Sequence, residues 1–304
     1  MFRRQLTVVV ISCVALCAGC GGGGSGSSSA PTVTDPVVGG KGRLSGQVLD
    51  AGDQNPIRGA TVSVATRASA TTDQDGRWQI ENLVEGPVRL SITASGYGLW
   101  TEDIVVPDPE TSWFGQQPNG GSPVALPKTP NPSPTFTCTE YVPLAAGNSW
   151  TYRDYHGDYH DILLDKYDLV TFRVGEKVLM HDIEVTTIEM GGGERGYWRV
   201  DAEGFKLFGK DDPWFGNDRY WPPILWPTGM RVGNAYRNAL TSPATVVRVS
   251  EHGSYYTYAG TFEDTINVVF DFGGDQESMR FARNVGPLHN GGSLDSAYVN
   301  GHSY

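Results

Sequence analysis

The stretch TTDQDGRWQI at residues 71–80 decides the fold class of the first half of this chain. Asp75-Gly76 supplies a tight turn, because glycine adopts a positive φ without steric cost and Asp-Gly is a common hairpin pair. After the turn, Trp78 and Ile80 alternate with polar residues, as in a half-buried strand. The stretch therefore predicts a hairpin connection between two β-strands.

Further short alternating runs flank this stretch on both sides. They predict strands at residues 42–50, 61–64, 77–80, 88–94, 102–106 and 123–126. Turn residues rich in glycine, proline and asparagine separate them at intervals of about 8 to 12 residues, a spacing typical of a small β-sandwich. We therefore expect a sandwich in this half of the chain.

A family resemblance follows from the spacing of the same residues. The segments GQV, PIRGATV, TDQDGRWQI, LVEG and ASGY at residues 46–48, 56–62, 72–80, 83–86 and 94–97 resemble the carboxypeptidase regulatory-like domain. The resemblance covers residues 41–128 and implies a seven-stranded prealbumin-like β-sandwich. It also implies an accessory domain without catalytic activity.

A proline-rich linker separates this domain from a second β-rich region. The sequence TPNPSPT lies in the linker, residues 129–137, where prolines favour an extended and semi-rigid chain. Beyond it, residues 138–304 show alternating runs with short glycine-containing connections, which predict a larger antiparallel β-sheet domain. The predicted strands are residues 163–174, 178–190, 196–200, 205–208, 245–249, 255–262, 265–272 and 279–284. The expected fold class of the chain is all-β.

The second region also contains an internal echo. Residues 146–153 and 232–237 each place a Gly-Asn pair before an aromatic residue two positions later, which suggests two half-sheets built alike. The motifs YVPLAAGNSWTY, AGTF and FARNVGPL at residues 141–152, 259–262 and 281–288 look like those of a family of uncharacterised bacterial envelope lipoprotein domains. That resemblance implies no particular chemistry.

The first residues have the order of an export signal. Two arginines precede an apolar run at residues 6–19, which is shorter than the roughly 20 residues needed to cross a bilayer. Cys20 follows two small residues, and the arrangement resembles the bacterial lipobox, in which the cysteine receives diacylglycerol and the peptide before it is removed. The resemblance implies a lipoprotein signal peptide at residues 1–19 and lipidation of Cys20, with acyl chains such as palmitate. Ordinary secretory cleavage with an unmodified Cys20 is the alternative.

Residues 20–40 form a flexible Gly/Ser tether that would hold the folded part away from a membrane. Gly21, rather than aspartate, follows Cys20, so we expect an envelope protein that is lipid-anchored at the outer membrane. The formal net charge of −11 disfavours nucleic acid and anionic lipid surfaces as partners, because both bind clustered basic residues. Acyl chains would therefore provide the membrane attachment.

Cys138 is the one cysteine beyond position 20, so the exported chain has no intramolecular disulfide. It is interpreted as a small buried hydrophobic residue, with a reactive thiol or an intermolecular bridge as the alternative. We predict no cofactor.

The polar run DYHGDYHD at residues 154–161 is a candidate metal site. In a strand, Asp154, His156, Asp158 and His160 would share one face and offer nitrogen and oxygen ligands to zinc. A hydrated hairpin explains the same residues without a metal.

The second candidate site is aromatic. Trp214, Phe215, Tyr220, Trp221 and Trp226 lie in a stretch that resembles a loop, residues 211–229, where prolines hold the chain extended. Exposed aromatic rings near acidic residues are typical of carbohydrate sites. The alternative is a cap whose rings plug one end of a sheet.

Sequence motifs for catalysis are scarce. The chain has no Gly-x-Ser-x-Gly, His-Glu-x-x-His or Gly-x-x-x-x-Gly-Lys sequence. We therefore predict a non-catalytic binding or scaffolding protein whose partners are the membrane and envelope proteins or glycans. The alternatives are a carbohydrate-binding module that uses the aromatic segment and a metal-dependent hydrolase that uses the histidine cluster.

Overall fold

The computed structural model describes residues 38–64, 68–107, 118–129, 134–154, 167–213, 216–289 and 292–304. It confirms the all-β fold class: the described residues form twenty strands, β1 to β20, one four-residue α-helix and two short 3₁₀ turns. Two large hydrophobic cores divide the structure into a first and a second domain. Cys20 and the predicted signal peptide and tether up to residue 37 lie outside the described residues.

The first domain is a β-sandwich of seven strands. One layer has the order β4-β1-β7, and the other has the order β3-β2-β5-β6. The strands are β1 Val38–Asp50, β2 Thr61–Val64, β3 Ala68–Thr71, β4 Arg77–Leu83, β5 Gly86–Thr93, β6 Trp100–Val106 and β7 Val124–Leu126. Alternate side chains of both layers, among them Val62, Trp78 and Ile92, fill the space between them.

The stretch at residues 71–80 forms the expected turn but not the expected hairpin. Gly76 has a φ of +71°, and the Asp73 carboxylate accepts hydrogen bonds from the amides of Asp75 and Arg77. However, β3 pairs with β2 and β4 pairs with β1, so the turn connects the two layers. Thr72 explains the change of layer, because its buried hydroxyl donates to the carbonyl of Ile57, 2.6 Å away, and ties the turn to another loop.

The second domain is one antiparallel sheet that curls round its own core. It begins after a short helix, α1 Cys138–Tyr141, and its neighbouring strands run in the order β13-β12-β11-β10-β9-β8-β19-β18-β17-β16-β15-β14. Its strands are β8 Ser149–Asp154, β9 Asp168–Met180, β10 Ile183–Glu189, β11 Arg195–Val200, β12 Gly204–Asp212, β13 Gly216–Pro227, β14 Ala235–Asn238, β15 Thr245–Thr257, β16 Gly260–Asp271, β17 Gln276–Ala282, β18 Gly286–His289, β19 Ser293–Val299 and β20 His302–Ser303. The side chain of Asn238 connects the last and first of these strands, because it exchanges two hydrogen bonds with the backbone of Leu225.

Several of the strand boundaries predicted in this domain were wrong, including the break at residues 250–254, which lies inside β15. The expected break between residues 174 and 178 lies instead at His181-Asp182, where both residues have positive φ and form the tight turn between β9 and β10. The segment 255–262, expected as one strand, contains the turn between β15 and β16, since Thr257 pairs with Gly260.

Candidate binding surface and domain junction

The two domains share a sheet, which the proline-rich linker does not reveal. Strand β6 of the first domain pairs in parallel with β14 of the second, with Trp100 opposite Ala235 and Asp103 opposite Asn238. The pairing continues the β3-β2-β5-β6 layer directly into the second domain. Backbone hydrogen bonds therefore connect the domains at this junction, in addition to the covalent chain.

A buried ion pair lies on one face of the paired strands. Glu102 of β6 is 0% exposed and forms a salt bridge with Arg237 of β14. Its carboxylate also accepts hydrogen bonds from the Asn119 amide at 2.9 Å and the Trp100 indole at 3.3 Å. Burial raises the pKa of Glu102 above its usual value, although the charge of Arg237 opposes the shift.

A second polar cluster lies on the opposite face of the same two strands, because neighbouring residues of a strand point to opposite sides. Asp103 accepts hydrogen bonds from Arg89, 2.8 Å away, and from the hydroxyl of Tyr236. The hydrogen bond with Asp103 raises the pKa of Arg89. Side chains from both domains therefore join the junction on its two faces.

Two glycines allow three backbone segments to cross beside the junction. A Cβ atom on Gly98 would lie within 3.0 Å of the carbonyl oxygen of Gly233, and one on Gly233 would lie equally close to Thr129. Gly233 also has a φ of +86°. The crossing is further tied by hydrogen bonds from Gly98 to Pro127 and from Thr129 to Gly96, at 2.9 and 3.0 Å.

The best candidate for a binding surface is a set of four exposed tyrosines, which we call the tyrosine surface: Tyr256, Tyr258, Tyr298 and Tyr304. Their exposed fractions are between 39% and 72%, and they lie in or beside two hairpins, β15-β16 and β19-β20. The two hairpins are neighbours, since the Ala259 amide donates to the carbonyl of Leu294 at 3.1 Å.

Two further contacts hold the tyrosine surface in place. The guanidinium of Arg153 lies 4.0 Å from the centre of the Tyr258 ring and forms a 2.7 Å ion pair with Asp295 of β19. The ring of Tyr304 lies 6.2 Å from that of Phe262, which packs against the domain core. The surface thus offers apolar rings and phenolic hydroxyls on a supported scaffold.

The aromatic segment at residues 211–229 is not a loop as expected. Most of it belongs to strand β13, which pairs with β12. Pro222 and Pro223 are accommodated because the pairing is interrupted between Arg219 and Ile224, where the ladder register shifts.

The described aromatic residues of this segment do not share one surface. Trp226 is buried in the core, and Tyr220 packs partly against that core. Trp221 instead lies in a small separate cluster, where its ring stacks on His181 with centroids 4.2 Å apart. Trp214 and Phe215 lie outside the described residues.

Asp154 of the candidate metal site ends β8 and is 5% exposed. His156, Asp158 and His160 lie outside the described residues. Within the described ranges, no group of three or more histidine, cysteine or acidic residues could hold a metal ion. The predicted metal site therefore stays a prediction.

Cys138 is buried, as we predicted. It is a free cysteine in α1, and its sulfur lies 3.3 Å from the carbonyl oxygen of Trp226. Burial raises the pKa of its thiol to about 12. The reactive-thiol alternative is therefore not supported, because the thiolate is the nucleophile.

Sequence reasoning missed the tyrosine surface. One signal was present: the segment SYYTYAG at residues 254–260 has three tyrosines close to a glycine. Predicting a turn in this segment would have placed the tyrosine rings at the end of a hairpin. We instead predicted one continuous strand there.

The architecture is thus that of an all-β protein with an N-terminal sandwich joined edge to edge to a larger sheet domain. Residues 43–114 match the family model of the carboxypeptidase regulatory-like domain. The chain therefore contains such a domain, in agreement with the resemblance noted in the sequence. A search of curated proteins found no match to the chain. None of the described helices is both long enough and apolar enough to cross a membrane.

Proposed function

We propose that this protein is a lipid-anchored lipoprotein of the bacterial cell envelope that binds a partner and carries out no catalysis. Cys20 would carry the acyl chains, residues 20–40 would act as the tether, and the outer membrane is the expected location. The shared sheet would keep the two domains in a fixed orientation. The tyrosine surface would then contact an envelope protein.

The tyrosine surface is the observation that carries the binding proposal. Tyrosine is enriched at protein interfaces, because it offers a large apolar ring and a hydroxyl while losing little conformational entropy. Four such residues on adjacent hairpins expose apolar rings that water solvates poorly. The first domain supports the same role, since its family resemblance implies an accessory module.

The anchor is tested by replacing Cys20 with serine in the full-length protein. We expect wild-type protein to incorporate labelled palmitate and to sediment with outer membranes, and Cys20→Ser to lose both properties. Cys138→Ser is the matched control and should retain both. An unmodified wild-type amino terminus in mass spectrometry would contradict the anchor.

The binding role is tested by crosslinking the intact protein in envelopes and quantifying the recovered partner. Tyr256→Ser combined with Tyr298→Ser should reduce recovery about tenfold or more, because aromatic anchors dominate interface energies. Leu179→Ser is the control, since Leu179 is 71% exposed on a different hairpin. Equal recovery with both variants would contradict the role of the tyrosine surface.

Carbohydrate binding is the second candidate function. On the outer side of β11–β13, Trp221 lies in one cluster with Tyr197, whose hydroxyl donates to Asp211. A glycan on this cluster should change tryptophan fluorescence in wild type but not in Trp221→Phe. A flat wild-type response across a glycan panel would reject it.

The metal-dependent hydrolase is tested separately by calorimetry. Zinc uptake by wild type should be abolished in His156→Ala with His160→Ala, and a wild-type protein that takes up no zinc would reject this alternative.

A further inference from the structure

A cleft of about 710 Å³ opens at the domain junction. Pro127 and Lys128 at the end of the first domain form one side, and strands β15, β16 and β17 form the other. Its volume is within the range of roughly 300 to 1,000 Å³ found for small-molecule sites, which favour such positions between domains. The described residues that line the cleft include none of the four tyrosines, so this is a separate site.

Arg248 is the distinctive side chain of this cleft. It lies on β15 between Val247 and Val249, which are both fully buried, so alternation directs Arg248 outward into the cleft. Its guanidinium makes no hydrogen bond or ion pair with any residue that the structure describes.

The charge of Arg248 helps to lower the pKa of Asp271 of β16, but the two side chains form no salt bridge. One oxygen of its carboxylate accepts from the Gly273 and Gly274 amides, and the other accepts from Gln276, all within 3.0 Å. The local acid is therefore occupied, and the hydrogen-bond donors of Arg248 stay available to a ligand.

The other charged groups of the lining are compensated. Arg280 pairs with Glu251, and Lys128 pairs with Asp50 at 2.9 Å. The Nε2 atom of His252 lies 3.1 Å from a carboxylate oxygen of Asp264. Arg248 is thus the uncompensated cation of the described lining.

The remaining walls are largely apolar and include Pro127, Pro134, Val232 and Val269. A guanidinium matches the planar oxygens of a carboxylate or the tetrahedral oxygens of a phosphate with two parallel hydrogen bonds. We propose that the junction cleft binds a small anionic ligand in which a carboxylate or phosphate group, held by Arg248, is carried on an apolar body.

Isothermal titration of the purified mature chain tests this site with four probes. Hexanoate and hexyl phosphate combine an anion with an apolar body and distinguish the two sources of charge. Hexanol supplies the body alone, and inorganic phosphate supplies the charge alone. We expect at least one of the first two probes to bind more tightly than hexanol and inorganic phosphate.

Arg248→Gln should weaken that binding about tenfold or more, because it removes a charge-assisted pair. Arg248→Lys should have an intermediate affinity, since lysine keeps the positive charge but cannot donate two parallel hydrogen bonds. Arg58→Gln is the control, because Arg58 is exposed and does not line the cleft. Circular dichroism establishes that each variant is folded. Failure of both anionic probes to bind, equal binding of hexanol or inorganic phosphate, or unchanged affinity in Arg248→Gln would overturn the proposal.

Discussion

Arg237 forms the buried salt bridge of the domain junction, so its loss should destabilise the protein strongly. Arg237→Met keeps most of the side-chain volume but leaves the fully buried carboxylate of Glu102 without its counter-charge. Removing one partner of a buried ion pair costs about 3–5 kcal/mol. We expect about 3 kcal/mol, the lower end of that range, because hydrogen bonds from Asn119 and Trp100 still reach the carboxylate.

Arg89→Met is the matched control, because Arg89 of β5 pairs with Asp103 on the opposite face of the β6–β14 pair. Its ion pair with Asp103 also lies at the junction, but the Arg89 side chain is 44% exposed. Exposed pairs contribute roughly 0.2–1 kcal/mol. The double variant Glu102→Gln with Arg237→Met removes both charges and should regain most of the loss.

Urea unfolding followed by tryptophan fluorescence measures these free energies. The effect should depend on pH in a defined direction. The folded-state pKa of Glu102 is raised above its usual 4.5, and loss of Arg237 raises it further. The difference in free energy of unfolding between wild type and Arg237→Met should therefore grow as the pH rises through the raised folded-state pKa that Glu102 has in wild type. The proposed role of the buried pair as the main side-chain contact of the junction would be refuted if Arg237→Met lost less free energy of unfolding than Arg89→Met. It would also be refuted if the loss in Arg237→Met became smaller as the pH rises.

Three further outcomes follow from the described contacts. Gly233→Ala should lower the free energy of unfolding in urea by at least about 1 kcal/mol more than Gly229→Ala does. Both glycines have positive φ, but only a side chain at position 233 would clash with Thr129. Equal losses would exclude the close crossing of the backbone segments. Burial raises the pKa of Asp264, but hydrogen bonds from neighbouring tyrosine and histidine side chains and an arginine charge lower it by more, so the net shift is downward. The ionised carboxylate of Asp264 should therefore stabilise the fold above pH 3.8, and this contribution should be lost as the pH falls through the lowered pKa. Asp264→Asn should flatten that acid limb in thermal melts, and an unchanged limb would contradict the shift. Cys138 should resist iodoacetamide in folded protein and react in urea, as followed by mass spectrometry, because burial raises the pKa of its thiol to about 12; rapid labelling of the native state would contradict its burial.

Local patterns in the sequence predicted the strands well where one face of the strand is buried. The run at residues 61–64 alternates clearly and corresponds to β2 at both ends. Strand β13 was hidden because its prolines suggested a loop, and only the partner strand shows where the ladder is interrupted. Periodicity reports which way a side chain points, but it does not report which strand lies beside it.

The same limit explains why the junction and the candidate site escaped prediction. Glu102 and Arg237 are charged, and charged residues lie mostly at the surface, so neither suggested a buried contact. Their partnership depends on the parallel pairing of β6 with β14, which joins segments more than a hundred residues apart. The tyrosine surface likewise depends on two hairpins becoming neighbours.

The internal Gly-Asn echo offers a structural reason for this junction. Gly147 and Gly233 have φ values of +91° and +86°, and each is followed by an asparagine and then by a strand, β8 or β14. The backbone carbonyls of Asn148 and Asn234 accept equivalent hydrogen bonds from the next strand of each half, at 2.9 and 3.2 Å. The two halves of the second domain therefore begin in the same way.

The outer edges of β8 and β14 show where the halves differ. The side-chain oxygen of Asn148 accepts from the Asn300 amide at the end of β19, which covers the edge of β8. The side-chain oxygen of Asn234 accepts from the Leu99 amide just before β6 of the first domain, which covers the edge of β14. An exposed strand edge invites pairing with another chain. We infer that β6 of the sandwich covers the edge of β14 in the same way that β19 covers the edge of β8. Each domain therefore covers a strand edge that the other domain would leave exposed. On this reasoning, separating the domains at the linker should expose both β6 and β14, and each isolated half should aggregate under conditions where the intact protein stays monomeric in light scattering.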